Sequence, residues 1–340
     1  MRAVEVRGTK FQELIEALPA KPEVYMGITK NIQSKAAICQ MALAAFPRKR
    51  LDSCVELTEG MCNAAYLVKF SDGSKSVLKI APGENKGLLS NEVNMMDAEV
   101  RAMGIVRKSN LIRVAEVQYY DTSKTICSGD YFFMEVIEGQ SFCSVIESMS
   151  EEEKRRLHYE IGQTERRLTG ICGEKFGLLG DEEHRYTHLF DFIYFLISNI
   201  LSDARKKNIV IGVEAGDILA RLERDRHVFD VVSRPTLVHW DMWEGNIFVK
   251  DGQISGIIDW ERAMWGEAFL DDRFRRHTRN PDFLKGYGQE NFSKDEMRRI
   301  CWYDVLLYLT MMTEGAYREY PDDGQYQWTK PLFEDSWKEL

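Results

Sequence analysis

The sequence lacks any apolar run long enough to cross a lipid bilayer. Its most apolar helical stretch, residues 189–201, contains Asp191 and is shorter than the roughly 20 residues that a membrane-spanning helix needs. The first residues also lack the hydrophobic region of a secretory signal peptide, because Lys10, Glu13 and Glu16 interrupt them. These absences predict a protein that has no membrane partner.

Paired cysteines and a basic excess are missing as well. The seven cysteines are scattered and form no Cys-x-x-Cys pair, which argues against a disulfide framework or a zinc site and predicts reduced thiols in the cytoplasm. The formal net charge of −9 argues against a nucleic-acid or anionic-membrane surface, since those contacts rely on clustered Lys and Arg. The 340 residues suffice for two domains, and no pattern indicates a particular oligomeric state.

The most informative segment that is present is HWDMWEGN, at residues 239–246. Asp241 lies two residues after His239, and Asn246 lies five residues after Asp241, which is the His-x-Asp-x-x-x-x-Asn spacing of a kinase catalytic loop. Phosphoryl transfer from a nucleotide requires a carboxylate that accepts the proton of the attacking hydroxyl, and oxygen ligands for Mg²⁺. We therefore predict Asp241 as the base and Asn246 as a metal ligand, with ordinary turn residues as the alternative interpretation.

A β-hairpin is predicted directly after this loop. Residues 247–249 and 254–258 contain mostly Ile, Val and Phe, and Asp251-Gly252 between them is typical of a two-residue turn. Such a hairpin would return Asp259 to the side of Asn246. Carboxylate and amide oxygens suit Mg²⁺, so Asp259 is predicted as the second metal ligand.

The N-terminal third supplies candidates for nucleotide binding. Residues 54–59 and 66–70 alternate like strands, and the turn at residues 60–63 between them predicts a phosphate contact at Asn63. Lys79 lies in an otherwise apolar strand, where its ammonium needs a partner such as phosphate and a carboxylate. An edge-strand lysine is the alternative. The next predicted helix, residues 88–103, offers Glu92 and Glu99 as partners.

These residues resemble the aminoglycoside phosphotransferase, choline kinase and fructosamine kinase group of small-molecule kinases. The likeness includes Asp259-Trp260-Glu261 and residues 266–271, which resemble the group's Gly-Asp-Pro-x-x-Asp element. The resemblance implies an α+β, protein-kinase-like fold of two lobes, with an antiparallel sheet plus helices in the first lobe and mainly helices in the second. It implies an N-terminal lobe at residues 1–134, a hinge at 135–140 and a C-terminal lobe at 141–340.

The resemblance also implies roles for individual residues. Glu92 would pair with Lys79, because the group's paired glutamate lies near the helix start. The hinge would bind adenine through the carbonyl of Glu135 and the amide of Ile137. His239 would anchor the catalytic loop rather than act as a base, and Asp271 would stabilise that loop.

Three positions depart from the group's pattern. Trp240 stands where a small residue is usual. The resemblance therefore does not predict the backbone conformation of the catalytic loop at this position. Glu267 and Ala268 replace the group's Asp-Pro. The sequence Trp243-x-Gly245-Asn246 is closer to the fructosamine kinase form of the loop.

Helical patterns dominate outside the two motif regions. Their apolar spacing and flanking residues predict helices at residues 9–18, 31–46, 151–169, 188–207, 214–230 and 294–317.

The sequence thus predicts a phosphotransferase that uses ATP, with GTP possible, and Mg²⁺ to phosphorylate a small-molecule substrate. An aminoglycoside, amino sugar or other amine would need carboxylates near the base, and the candidates are Glu261, Glu267 and Asp272. Ketosamine and choline-type acceptors are alternatives within the enzyme class. A nucleotide-binding pseudokinase is the alternative from another class.

Overall fold

The computed structural model describes residues 28–58, 60, 62–83 and 87–340. The helix predicted at residues 9–18 lies outside these residues. The first third of the described chain forms helix α1 and a five-stranded sheet with helix α2 inserted between its third and fourth strands. Their bounds are α1 Lys35–Ala45, β1 Leu51–Leu57, β2 Ala64–Phe70, β3 Lys75–Ile80, α2 Met95–Ser109, β4 Val117–Asp121 and β5 Tyr131–Met134.

The sheet separates two apolar cores. Its strands run antiparallel in the order β1-β2-β3-β5-β4. Leu78 and Ile80 face the smaller core, which includes Met41 of α1, whereas Val77 belongs to the larger core with Val106 of α2. The alternation predicted for the strand around Lys79 is confirmed, because successive side chains of a strand point to opposite faces.

The remainder of the chain is mainly helical, with short strands around the catalytic loop. The long helices α4, α5 and α9 contribute about a third of the buried residues of the larger core. The bounds are β6 Gln140–Ser141, α3 Phe142–Val145, α4 Glu151–Leu168, β7 Gly177–Leu178, α5 Leu189–Lys206, α6 Ala215–Arg224, α7 Arg226–Asp230, β8 Thr236–Val238, β9 Ile247–Lys250, β10 Gln253–Ile257, β11 Met264–Gly266, α8 Pro281–Tyr287, α9 Lys294–Arg318 and α10 Gly324–Glu339. A sheet region followed by a helical region is the α+β arrangement expected, while the lobe boundaries stay a prediction. Among the described helices, none is both long and apolar enough to cross a membrane.

Local sequence explains where the long helices begin. Ser150 before α4 and Ser293 before α9 each accept a hydrogen bond from the amide of a glutamate three residues later, and that glutamate bonds back to the serine amide. Each such capping box satisfies two amides that the helix itself cannot pair. Ser34 likewise caps α1, which is why α1 begins at Lys35 rather than at residue 31.

Two further predicted helices also differ from the structure by several residues. Residues 88–94 are not helical, and α2 begins only at Met95, after Asn94 adopts a left-handed conformation with φ 45°. The helix predicted at residues 214–230 divides at Asp225. The carboxylate of Asp225 accepts hydrogen bonds from Arg298 and Trp302 of α9, at 2.7 and 2.8 Å. The residue at which the predicted helix divides is therefore bound by side chains of another helix.

Gly162 offers a test of how closely α4 and α8 pack. A methyl group at this position would lie 2.1 Å from the carbonyl oxygen of Phe283 in α8. We expect Gly162→Ala to lower the free energy of unfolding by about 1–3 kcal/mol, because the two backbones must separate. Gly104→Ala in α2, where nothing lies within 4 Å, is the matched control and should raise stability by about 0.5–1 kcal/mol. Chemical denaturation of both variants measures the difference; equal stabilities would contradict the close packing.

Candidate active site

The catalytic loop, residues 239–246, connects β8 to β9 and is anchored by His239. The ring of His239 is fully buried; its Nε2 donates to the carbonyl of Ile258 at 2.9 Å, and its Nδ1 accepts the amide of Asp241 at 3.3 Å. Burial lowers the pKa of His239 to about 4, so the ring is neutral near pH 7. A buried, neutral ring with both nitrogens in use is suited to anchoring, as expected, and poorly suited to accepting a proton.

Trp240 adopts a backbone conformation that few large residues tolerate. Its φ of 73° lies in the left-handed region that favours glycine, which gives a physical reason why a small residue is usual here. The amide of Trp240 donates to Asp271 Oδ2 at 2.9 Å, and the guanidinium of Arg262 lies 5.4 Å from the centre of the Trp240 ring. These contacts hold a conformation that costs about 1–3 kcal/mol, and they place Asp271 against the loop that it was expected to stabilise.

Asp241 and Asn246 contact each other at the two ends of the loop. Nδ2 of Asn246 donates to the carbonyl of Asp241 at 2.8 Å and lies 3.2 Å from Oδ2 of the same residue. Burial raises the pKa of Asp241 to about 8, with Asp272 and Asp259 adding to the rise and Arg262 opposing it. A raised pKa makes Asp241 a stronger base than an exposed aspartate.

The predicted hairpin is confirmed and returns Asp259 to the loop. Strands β9 and β10 pair antiparallel, and their turn places Asp251 and Gly252 at φ 51° and 72°, as an Asp-Gly hairpin turn requires. The amide of Ile258 donates to the carbonyl of Asn246 at 3.0 Å. Asp259 follows immediately, at φ 61°, beside the loop that contains Asp241 and Asn246.

Lys79 of β3 joins the sheet to this site. Its ammonium lies 2.6 Å from Glu99 Oε1 of α2 and also pairs with Asp259, while only 5% of the residue is exposed. Burial alone would lower the pKa of Lys79, but Asp259 and Glu99 raise it above its ordinary value. The lysine therefore stays charged between two carboxylates, one from α2 and one from the residues that follow β10.

The predicted pairing of Lys79 with Glu92 is wrong, because Glu92 is not on the helix. Its Oε2 accepts the amide of Leu89 at 2.9 Å, and its Oε1 lies 2.8 Å from Arg262 and 2.7 Å from Arg318. Glu99 lies one turn inside α2. Its signal in the sequence is its spacing from Met96 and Met103, three residues before and four after, which marks the buried face of the helix.

Arg262 was missed by the sequence reasoning, although it lies at the centre of a buried ion-pair network. It pairs with Glu92 and Glu314, and Arg318 pairs with the same two carboxylates. The network connects the segment before α2, the residues after Asp259 and the end of α9. Its members are far apart in sequence, so no spacing could reveal it.

Asn63, the residue before β2, contacts the segment that follows Asp259. Nδ2 of Asn63 lies 2.5 Å from Glu261 Oε2, so the predicted phosphate contact and one predicted substrate carboxylate meet each other. Burial raises the pKa of Glu261 to about 7, with further contributions from Asp259 and Glu99. The phosphate contact of Asn63 and the substrate contact of Glu261 stay predictions.

The segment predicted as the hinge, residues 135–140, follows β5, which ends at Met134. The amide of Glu135 donates to the carbonyl of Glu116 at 2.9 Å, and the Glu135 side chain pairs with Arg113 at 3.1 Å. Ile137 is buried. Their contacts with adenine stay a prediction.

Two of the acidic residues that follow Asp259 differ in what they can offer a substrate. Glu267 is bound by the guanidinium of Arg299, at 2.7 Å, and by the hydroxyl of Tyr303, at 2.5 Å, which corrects its prediction as a substrate ligand. Asp272 is half-buried and close enough to Asp241 to raise its pKa. It stays a candidate for binding an amine.

The donor set fits Mg²⁺ completed by phosphate and water. In the described part of the chain, no three His, Cys, Asp or Glu side chains gather to hold a metal by themselves. Because Nδ2 of Asn246 donates a hydrogen bond within the loop, the side-chain oxygen of Asn246 is the atom left for a metal. About one-third of the Asp259 side chain is exposed. Two hard oxygen donors with room for phosphates and water suit Mg²⁺.

Comparison with known proteins gives one family match and many similar folds. A model of the phosphotransferase enzyme family matches residues 53–293, whereas no curated protein sequence matches significantly. A Thermobifida fusca YX-ER1 protein assigned as a fructosamine-3-kinase has 14% identity over 90% of this chain and 100% of its own, with a TM-score of 0.62. The GDP and kanamycin complex of APH(2")-IIIa has 16% identity over 90% and 99%, with a TM-score of 0.60.

A third structure is aminoglycoside phosphotransferase APH(4)-Ia with AMP-PNP and hygromycin B. It has 15% identity over 89% of this chain and 98% of its own, with a TM-score of 0.59. At such identities the likeness establishes the fold, and it confirms the protein-kinase-like architecture expected from the motifs.

Proposed function

Because the chain belongs to the phosphotransferase enzyme family, we propose that it transfers the γ-phosphate of ATP, with Mg²⁺, to a hydroxyl of a small, polar, amine-bearing molecule. Aminoglycosides and amino sugars are the first acceptor type to test. The observation that supports this most is the meeting of Lys79, Glu99 and Asp259 beside Asp241 and Asn246. These are the types of group that phosphoryl transfer from a nucleotide requires.

Asp241 supplies the base in the proposed reaction. The acceptor oxygen forms a bond to the γ-phosphorus, the bond from that phosphorus to the oxygen of ADP breaks, and the hydroxyl proton moves to an Asp241 carboxylate oxygen. His239 fixes the amide of Asp241 and so orients the residue. Asn246 and Asp259 would hold Mg²⁺, which when bound neutralises phosphate charge.

Lys79 binds phosphate oxygens in this proposal, and the hinge binds the base. Glu99, 2.6 Å from the ammonium of Lys79, would hold that ammonium while Asp259 holds the metal. The carbonyl of Glu135 and the amide of Ile137 would form hydrogen bonds with adenine. Backbone groups can also accommodate guanine, so GTP is the second nucleotide to test.

Ketosamine phosphorylation is the second candidate function, and Trp243 supports it. The Trp243 side chain is 43% exposed and lies over Gly245, where an added methyl group would meet the ring at 2.2 Å. An exposed indole beside Asp241 offers a flat face for a sugar ring. The complete set of Lys79, Asp241, Asn246 and Asp259 argues against a pseudokinase, since a protein that only binds nucleotide has no need for the base.

We place this activity in the cytoplasm. The seven cysteines are scattered and form no Cys-x-x-Cys pair, which suits a reducing compartment. The acceptor is a small molecule, and the net charge of −9 does not favour nucleic acid.

Asn246→Ala tests the metal-dependent part of the proposal. ATP at 100 times its dissociation constant should stabilise the wild-type protein by about 2.7 kcal/mol, or raise the melting temperature by about 4 °C for this length. We expect Mg²⁺ to increase the shift in the wild type and in Asn246→Asp, which keeps an oxygen ligand, and not in Asn246→Ala. Thermal denaturation with ATP or GTP, with and without Mg²⁺, measures this. Absence of any nucleotide shift in the wild type would overturn the proposed function.

A further inference from the structure

We propose that Arg273 is a positioning residue that holds Asp241 in place for phosphoryl transfer by binding the catalytic loop directly after it. This inference rests on the proposed function and extends it to a residue outside the loop. Arg273 lies two residues after Asp271, the last residue of the segment that resembles the Gly-Asp-Pro-x-x-Asp element. The resemblance gives Arg273 no role, so its contacts alone identify it.

Arg273 holds the loop through two hydrogen bonds. Its Nε donates to the carbonyl of Met242 at 2.6 Å, and its Nη1 donates to Oε1 of Glu244 at 2.6 Å. Met242 directly follows Asp241, and its side chain is buried. Because hydrogen bonds from a charged donor are stronger than those from a neutral one, the guanidinium fixes the backbone just beyond Asp241.

Asp271 connects these contacts to the other side of Asp241. Its Oδ1 accepts the amide of Arg273 at 3.3 Å, and its Oδ2 accepts the amide of Trp240 at 2.9 Å. The residues before and after Asp241 are therefore bound by one short segment, residues 271–273. A shift of this segment would move the carboxylate of Asp241, which must lie within hydrogen-bond reach of the attacking hydroxyl.

A core ion pair with Glu165 of α4 is the alternative role for Arg273, and the contacts argue against it. Within the described residues, both carboxylate oxygens of Glu165 and Nη2 of Arg273 lack a hydrogen-bond partner. Burial raises the pKa of Glu165 well above its ordinary value, with Asp271 adding to the rise and Arg273 opposing it, which favours the neutral form of Glu165. The side-chain hydrogen bonds of Arg273 go to the catalytic loop instead.

Arg275 provides a matched control for the loss of a buried arginine. It lies two residues further along the chain and is 1% exposed, compared with 2% for Arg273. Its guanidinium contacts the carbonyls of Phe269 and Ile300 and the carboxylate of Asp304, none of which belongs to the catalytic loop. Replacing either arginine with methionine removes a buried cation, but contacts with the loop are lost in Arg273→Met and not in Arg275→Met.

Kinetics of the two variants test the proposal. Arg273→Met should lower kcat about 10²-fold, because a misplacement of about 1 Å can cause such a loss. The KM for ATP should change by less than about 3-fold, as expected when an interaction serves the transition state rather than binding. Arg275→Met should lower the melting temperature by a similar amount and leave kcat within about 3-fold of the wild type. Kanamycin, fructosyl-lysine and choline are the acceptors, with water as acceptor if none reacts.

Hydrogen exchange of the loop gives a readout that does not depend on turnover. A peptide covering residues 239–246 should exchange at least ~10-fold faster in Arg273→Met than in the wild type, because losing a hydrogen bond to a charged group eases local opening. The same peptide in Arg275→Met should exchange like the wild type. A general loss of stability would accelerate exchange in both variants alike.

Glu244 gives a second pair of variants if Arg273→Met does not fold. About 30% of its side chain is exposed, so substitutions at this position cost less stability than those at Arg273. Glu244→Ala should lower kcat about 10-fold, because it removes one of the two contacts that position the loop. Glu244→Gln, whose amide oxygen can still accept from Arg273, should restore kcat to within about 3-fold of the wild type.

The outcomes separate the positioning role from the proposed function. A loss of kcat in Arg273→Met but not in Arg275→Met, with faster exchange of the loop, supports the positioning role. Equal losses in the two variants, a change confined to the KM for ATP, or no rescue by Glu244→Gln would overturn it and leave the kinase intact. If the wild type transfers phosphate to neither acceptor nor water and shows no Mg²⁺-dependent nucleotide shift, the proposed function fails, and Arg273 has no reaction to serve.

Discussion

Asp241→Asn should lower kcat by about 10²–10⁴-fold, because the amide cannot accept the proton of the attacking hydroxyl. The substitution nearly conserves shape, and the contact of Asn246 with the backbone carbonyl of Asp241 remains available. ATP affinity and the melting temperature should therefore change little. Steady-state kinetics at saturating ATP and acceptor, together with the ATP-induced melting shift, measure both quantities.

Asp272→Asn is the matched control for this prediction. It removes a neighbouring carboxylate that faces Asp241 without removing the base. We expect it to affect the KM for an amine acceptor more than kcat. Full turnover by Asp241→Asn would rule out Asp241 as the base.

Glu92→Ala should be among the most destabilising single changes in the described chain. It would leave Arg262 and Arg318 to share Glu314 alone, and Arg318 is only 3% exposed. Removing one partner of a buried ion pair costs about 3–5 kcal/mol. For a protein of this length we expect a fall in melting temperature of about 4–7 °C.

Two comparison variants show whether Glu92 acts on stability or on nucleotide binding. Asp97→Ala removes an exposed pair with Arg101, at 3.6 Å, and should cost at most about 1 kcal/mol. Glu99→Gln should chiefly raise the KM for ATP, because it removes the charge that holds Lys79. If Glu92→Ala instead raised the KM for ATP and left stability unchanged, Glu92 and not Glu99 would be the functional partner of Lys79.

The parts of the site that could be predicted are those encoded by short segments. The catalytic loop, the Asp-Gly turn and Asp259 lie within 21 residues, from His239 to Asp259, and local turn chemistry determines their geometry. Lys79 could be identified because strand alternation places it on a definite face of an apolar strand. These predictions required no knowledge of distant contacts.

The errors arose where distant contacts determine local structure. Glu92 was assigned to the start of a helix because residues 88–103 have apolar positions at helical spacing. However, Arg262 and Arg318, which are 170 and 226 residues away, bind its carboxylate. Glu267 was assigned to substrate because it follows Asp259, yet Arg299 of α9 binds it. Periodicity describes neighbours along the chain, so it cannot reveal ion pairs between separate elements.

Transfer of radiolabelled γ-phosphate from ATP to an acceptor hydroxyl tests the central claim most directly. The wild-type protein is incubated with labelled ATP and a panel of amino alcohols, ketosamines and aminoglycosides, with and without Mg²⁺, and Asp241→Asn is run in parallel. We predict one labelled product class that requires Mg²⁺ and is lost in the variant. Labelled product formed equally by Asp241→Asn, or no labelled product from any acceptor although ATP is bound, would contradict the account.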